Sequence, residues 1–312
     1  MNRFRSFVLP IAIVLGLLLH DYCAVVKGIL PYLIFMILLS NYAAVDMRKL
    51  RPGRLDLWLM LIQVSGSILP YLLLRWAGVD PIICEGVMMV VLCPVAASVI
   101  VISCILGANR ERVTTYTILG NLMVAVVAPA IFSFIGNQQD MRFIDAFLMI
   151  LRRTALIIAL PFFLALIGQK LTPHINQAVS RMKGFSFYLW ALTLTITLGQ
   201  TIDFIFLHGD GNWNSIFILG LASVMICAFQ FAFGKCLGQR CCSDRMAGGQ
   251  LLAQKNVAMG VWMANTFLTP LASVGIALYS IWQNLFNSWQ MWMKEHCDSI
   301  NAKQAGCSRL IL

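Results

Sequence analysis

Apolar residues run along this chain in long continuous stretches, broken by short polar or Pro/Gly-containing segments. Read against those breaks, the pattern predicts ten spans, roughly 6–20, 28–45, 55–76, 81–107, 113–136, 154–171, 186–206, 213–237, 247–269 and 274–293. A helix needs roughly 20 apolar residues to cross about 30 Å of hydrocarbon. Most of these stretches approach or exceed that length, and the fold class they predict is an all-α polytopic integral membrane protein. Composition agrees, with 60% hydrophobic and only 12% charged residues, against about 25% charged in soluble domains. A soluble enzyme is excluded.

Charge then orients the spans. The net charge of +10 is spread in short clusters between spans and not gathered on one face, so it reads as topology and not as a nucleic-acid footprint. An even number of spans puts both termini on one side. With the termini inside, seventeen of the 23 basic residues fall in cytoplasmic segments and five outside, Lys255 lying within a span. That bias predicts cytoplasmic termini in a plasma (inner) membrane. Arg3 and Arg5 precede an apolar run as in a signal peptide, but no A-x-A-like site follows, so a retained first span is expected. The segment MRFIDAFLMILRR suits a helix lying in the outer interface. The chain divides into residues 1–153, a first five-span repeat with this interfacial helix, and 154–312, a second five-span repeat with a cytoplasmic tail. Five is odd, so the second repeat runs inverted.

Polar residues at mid-membrane depth carry the candidate chemistry. Span 4 is too long for a simple crossing and holds Pro94 at its centre, followed by the small Ala96, Ala97 and Ser98. Proline lacks an N–H and frees backbone carbonyls, either as a plain kink or as a break. Span 9 carries Gln254, Lys255 and Asn256 in succession. A lysine at mid-bilayer costs at least about 2.5–3.5 kcal/mol, so it must find a partner or a wet cavity unless it snorkels to the interface. Interrupted helices at equivalent places in inverted halves point to a transporter's substrate site. Span 5 adds Thr114, Thr117 and Asn121 on one face. Threonines can satisfy their own helix, whereas Asn121 needs a tertiary partner. The candidate substrate- or ion-binding set is therefore Pro94, Ser98, Thr114, Thr117, Asn121, Gln254, Lys255 and Asn256. Glu85 suits a helix N-terminus, Asp203 sits near an outer span end, and Gln63, Gln283 and Asn284 are polar enough to face the interior.

The quoted residues resemble the bile-acid:sodium symporter family. CPVAAS in span 4, the ungapped run from it to APAIF, QKN in span 9 and SIWQN in span 10 are similar to that family's CPGGTASN, TPAIF, EVGMQN and SVWHN. The resemblance implies ten helices in two inverted repeats. Spans 4 and 9 cross as broken helices, a core of spans 3–5 and 8–10 rocks against a panel of spans 1, 2, 6 and 7, and the cargo is a small organic anion. It also implies sodium sites, and here the chain departs. Carried over by position, the family's Ser-Asn pair becomes Val99 and Ile100, its hydroxyls Val113 and Thr117, its glutamate Leu251, and the glutamine before the Asn becomes Lys255. Lysine supplies a fixed positive charge and three donors. Lys255 is thus expected to replace the cation, with movement either proton-linked or uncoupled.

The rival reading is a receptor or channel-like protein that keeps the transporter fold without transporting. An enzyme needs a nucleophile and base or a metal constellation at one depth. His20, His174, His208 and His296 fall at span ends or in loops, and no phosphate loop is present. The ten cysteines show no metal-ligand spacing and read as packing residues. No catalytic residue, metal or cofactor is expected, and the partners are an organic anion, possible protons and the bilayer.

Overall fold

The computed structural model describes residues 11–12, 14–44, 50–96, 98–135, 142–154, 156, 160–181, 185–208 and 212–310. Arg3, Arg5, Arg48, Lys49, Ala97, Lys183 and the start of the first span lie outside them. The described backbone is helical apart from short connections and one isolated antiparallel bridge, so the all-α reading holds.

In chain order, α1 (His20–Val25) passes through a 3-10 turn (Val26–Ile29) into α2 (Leu30–Ala43). The break expected between the first two spans is thus itself helical. The next helix, α3 (Arg54–Trp76), begins where Gly53 donates its N–H to the Asp56 carboxylate at 2.6 Å. Span 4 is two helices, α4 (Pro81–Leu92) and α5 (Val99–Ile105). Proline opens α4 where its missing donor is harmless, and Asp80 accepts from Ile82 N–H at 2.8 Å. Then come α6 (Arg110–Ile135), α7 (Phe143–Thr154), α8 (Leu160–Leu171), α9 (Pro173–Arg181), α10 (Ser186–His208) and α11 (Trp213–Cys242). Span 9 is likewise two helices, α12 (Arg245–Ala253) and α13 (Val257–Phe267), capped by Asp244 and Asn256. The last helix, α14 (Ser273–Leu310), continues through the segment expected to be a tail. The linker between spans 6 and 7 is also helical, as α9.

Among the described residues, three helices are long and apolar enough to cross a membrane, namely Arg54–Trp76, Arg110–Ser133 and Trp213–Cys242. Shorter apolar helices at Leu30–Ala43, Pro81–Leu92 and Leu160–Leu171 supplement them. On α11 the side chains of Phe217, Leu221, Met225 and Phe229 repeat every fourth residue and are all exposed, while Leu219, Cys227 and Phe231 are buried. That outward apolar stripe faces lipid, since water would leave it unmatched.

Contacts sort the helices into two groups. One holds α1, α2, α8, α9 and α10; the other holds α3–α6 and α11–α14, with α7 packed on α6; α10 and α14 are packed together across the divide. This is the panel-and-core arrangement expected from the resemblance. Within the core, α11 and α12 approach backbone to backbone. A methyl at Gly234 would lie 2.5 Å from the Gly248 carbonyl oxygen, and one at Gly249 would lie 2.6 Å from Lys235. Only glycine permits this approach, the usual device for packing helices in lipid. This packing holds α12, the first half of span 9, against α11.

Candidate functional site

The two breaks meet. Ala96 N–H donates to the Gln254 carbonyl at 3.1 Å and Asn256 N–H to the Pro94 carbonyl at 2.7 Å, pairing Val95 with Lys255 as an antiparallel bridge. Each unwound strand thereby satisfies part of the other's backbone, which bare lipid cannot do.

The remaining backbone groups at the crossing are met by side chains. In an unbroken helix the Val91 carbonyl would accept from residue 95 and the Leu92 carbonyl from residue 96. Val95 N–H instead donates to Asn121 Oδ1 at 2.7 Å, and Ala96 N–H is spent on Gln254. The orphaned carbonyls are taken up by side chains. Lys255 Nζ donates to Val91 O at 2.9 Å, and Gln63 Nε2 donates to Leu92 O at 3.0 Å and Cys93 O at 2.9 Å. Tyr116 orients that amide by donating to Gln63 Oε1 at 3.0 Å. On the other strand, Lys255 N–H donates to Gln283 Oε1 at 2.8 Å, and Gln283 Nε2 donates to the Lys255 carbonyl at 3.2 Å. The Tyr279 hydroxyl donates to the Ala253 carbonyl at 2.6 Å.

Lys255 is only 1% exposed. Its ammonium lies at the C-terminal end of α4, where the helix dipole and the freed carbonyls concentrate negative potential. Among the described residues it forms no ion pair with a carboxylate. Four of the other positions that correspond by resemblance to sodium ligands belong to one apolar cluster. Val99, Ile100, Val113 and Leu251 are each 0% exposed and pack with Val95 and Tyr116.

Beside the crossing lies a cavity of about 60 Å³ between core and panel. The panel contributes Ile34, Ile37, Thr193 and Thr197; the core contributes Ser98, Gln254, Asn256 and one face of α14. On that face Ser280, Gln283, Asn284 and Asn287 follow one another at helical spacing. Gln254 Oε1 and Ser280 Oγ are buried polar atoms with no hydrogen-bond partner among the described residues.

Of the residues singled out from sequence, Pro94, Ser98, Gln254, Lys255 and Asn256 come together at the crossing or its cavity. Asn121 holds the broken strand from behind. Thr114 and Thr117 turn their hydroxyls to the carbonyls of Arg110 and Val113 at 2.9 and 2.7 Å, and they do not line the cavity. Glu85 accepts the Thr269 N–H at 2.9 Å, tying α4 to the end of α13. Asp203 lies 4.0 Å from His20, away from the crossing. Sequence reasoning did not find Tyr116, Tyr279 or the panel threonines. The stripe on α14 did carry a signal, its three- and four-residue spacing.

Two interrupted helices whose unwound segments bond to each other, beside a polar cavity between two helix groups, define a membrane-transporter core. Residues 31–207 match the Sodium Bile acid symporter family, and the chain belongs to that family. No curated protein matches it. The family match ends before α11, so the second broken helix is recognised from geometry.

Proposed function

We propose that the protein is a secondary transporter of a small organic anion, working by alternating access, in which Lys255 occupies the role of a bound cation. The observation that carries this reading is the Lys255 Nζ contact with the Val91 carbonyl in a fully buried crossing without a carboxylate partner. An ammonium there offsets the negative helix end, and it is covalently retained through the cycle. The apolar cluster of Val99, Ile100, Val113 and Leu251 supports the same reading, since sodium gains nothing from such side chains. Transport is then independent of sodium, and protons or the substrate gradient drive it. The halves 1–153 and 154–312 are the inverted repeats, each contributing one broken helix, with both termini in the cytoplasm of a plasma (inner) membrane.

The test is uptake of labelled carboxylates and sulfonates into proteoliposomes, with sodium and proton gradients imposed separately. Wild type should respond to the proton gradient or to substrate alone, and Lys255→Gln should alter that response. Sodium-driven uptake unchanged in Lys255→Gln would sink the proposal.

A further inference from the structure

A cluster of metal-ligating side chains lies in the panel, apart from the crossing. His20 and Asp21 of α1 meet Asp203 of α10, at the end of the panel that the basic residues assign to the outside. Backbone packing brings them together. A methyl at Gly199 would lie 2.6 Å from Cys23 Sγ, so only glycine lets α1 come this close to α10. His20 and Cys23 are three residues apart and Gly199 and Asp203 four, so each pair shares a helix face. The close approach of Cys23 to Gly199 thus holds His20 beside Asp203. Phe206, on the same turn as Asp203, places its ring 5.3 Å from the imidazole. Cys23 is spent elsewhere, its Sγ donating to the Thr195 carbonyl at 3.7 Å.

One ligand atom from each of His20, Asp21 and Asp203 lies within 4.8 Å of the other two. His20 Nδ1 is 3.1 Å from Asp21 Oδ1 and 4.0 Å from Asp203 Oδ1, yet it forms no hydrogen bond among the described residues. The nearer contact lacks the alignment of one and the farther contact the distance. Neither carboxylate pairs with a lysine or arginine among the described residues. Two carboxylates this close repel unless a cation lies between them. An imidazole nitrogen that faces both without sharing a proton with either is placed as a ligand. Zinc bonds to nitrogen and oxygen are about 2.0–2.2 Å long, which sets tetrahedral neighbours about 3.3 Å apart, between the two distances found here. Nδ1 itself is enclosed, so the ion enters past Asp21, whose side chain is 80% exposed and swings aside without disturbing the packing.

We infer that His20, Asp21 and Asp203 form a binding site for a zinc-class divalent metal ion, with His20 Nδ1 and one oxygen of each aspartate as ligands and water in the fourth position. The imidazole selects zinc over magnesium and calcium, which take oxygen ligands. The bound ion fastens α1 to α10 and so stiffens the panel. The site does not rest on how Lys255 acts, and its test does not use transport.

The experiment counts zinc bound to the full chain, stripped with a chelator, purified in a neutral detergent and dialysed against micromolar zinc chloride. Exposed thiols such as Cys236 and Cys297 hold zinc as well, so the readout is the equivalent that variants lose. Wild type should bind one equivalent more than Asp21→Asn, Asp203→Asn or His20→Gln, and millimolar magnesium and calcium should leave it in place. Losing even a group that only orients a ligand weakens metal binding by about 10–100-fold, so loss of a ligand should weaken it by at least about 100-fold. Asp21→Asn changes an exposed side chain and keeps the fold, and Asp145→Asn, an exposed acid elsewhere, should bind as wild type. Zinc should also raise the melting midpoint of wild type and leave that of Asp21→Asn unchanged. Equal zinc in wild type and the three variants overturns the inference. Displacement by magnesium or calcium, or an equal loss in Asp145→Asn, does so too.

Discussion

Gln63 shows how a single buried amide holds a broken helix together. Its Nε2 serves the carbonyls of Leu92 and Cys93, and its Oε1 receives Tyr116. Gln63→Leu leaves three polar groups unmatched in a dry interior. The expected loss is about 2–4 kcal/mol, from penalties of about 1–3 kcal/mol per unsatisfied group with some relaxation. Tyr116→Phe removes one bond only and should cost about 1 kcal/mol. Chemical unfolding in micelles measures both, and equal losses would show that the amide is not the hub. At this scale legibility followed expense. Pro94 and the Gln254–Lys255–Asn256 run were visible because each is costly inside a membrane. Gln63 was visible only as an inward-facing polar residue, and Tyr116 and Tyr279 not at all, because a tyrosine in an apolar run carries no mark of where its hydroxyl goes.

Among the elements, the crossing depends on α11 holding α12 at glycine-to-glycine distance. Gly248→Val would drive its side chain into the backbone at Gly234 and Gly238, and no side chain there can yield. The expected result is loss of folded protein on size-exclusion chromatography in detergent. Gly28→Ala, where nothing lies within 4 Å, should elute as wild type. A well-folded Gly248→Val protein would mean that the helices are less tightly locked. Span ends were legible where apolar runs met charge, as at Arg54 and Trp213. The extension of α14 and the helix α9 were not. Both are polar, and hydropathy marks a membrane span but not a helix outside it; KEHCDSINAKQAG is built largely of residues that favour or tolerate helix.

In the whole molecule the panel meets the core beside a polar cavity, and the topology makes a direct expectation. A cysteine placed at exposed Ser243 should react with an impermeant maleimide only from the cytoplasmic side, and one at exposed Ala77 only from outside. Both tests use a background with the native thiols replaced, because the described cysteines are free. Labelling of both from one side would contradict the orientation read from the basic residues. The fold class was legible from periodicity and composition, whereas the meeting of the two breaks required coordinates, because Val95 and Lys255 lie 160 residues apart in sequence.

The central claim is that a tethered ammonium stands where related transporters take up a cation. The most direct measurement is the initial rate of substrate uptake into proteoliposomes as sodium is replaced stepwise by choline at constant ionic strength. A rate that stays flat across the whole replacement is the expected result. A saturable rise with sodium would contradict the account and place a working sodium site elsewhere in the core.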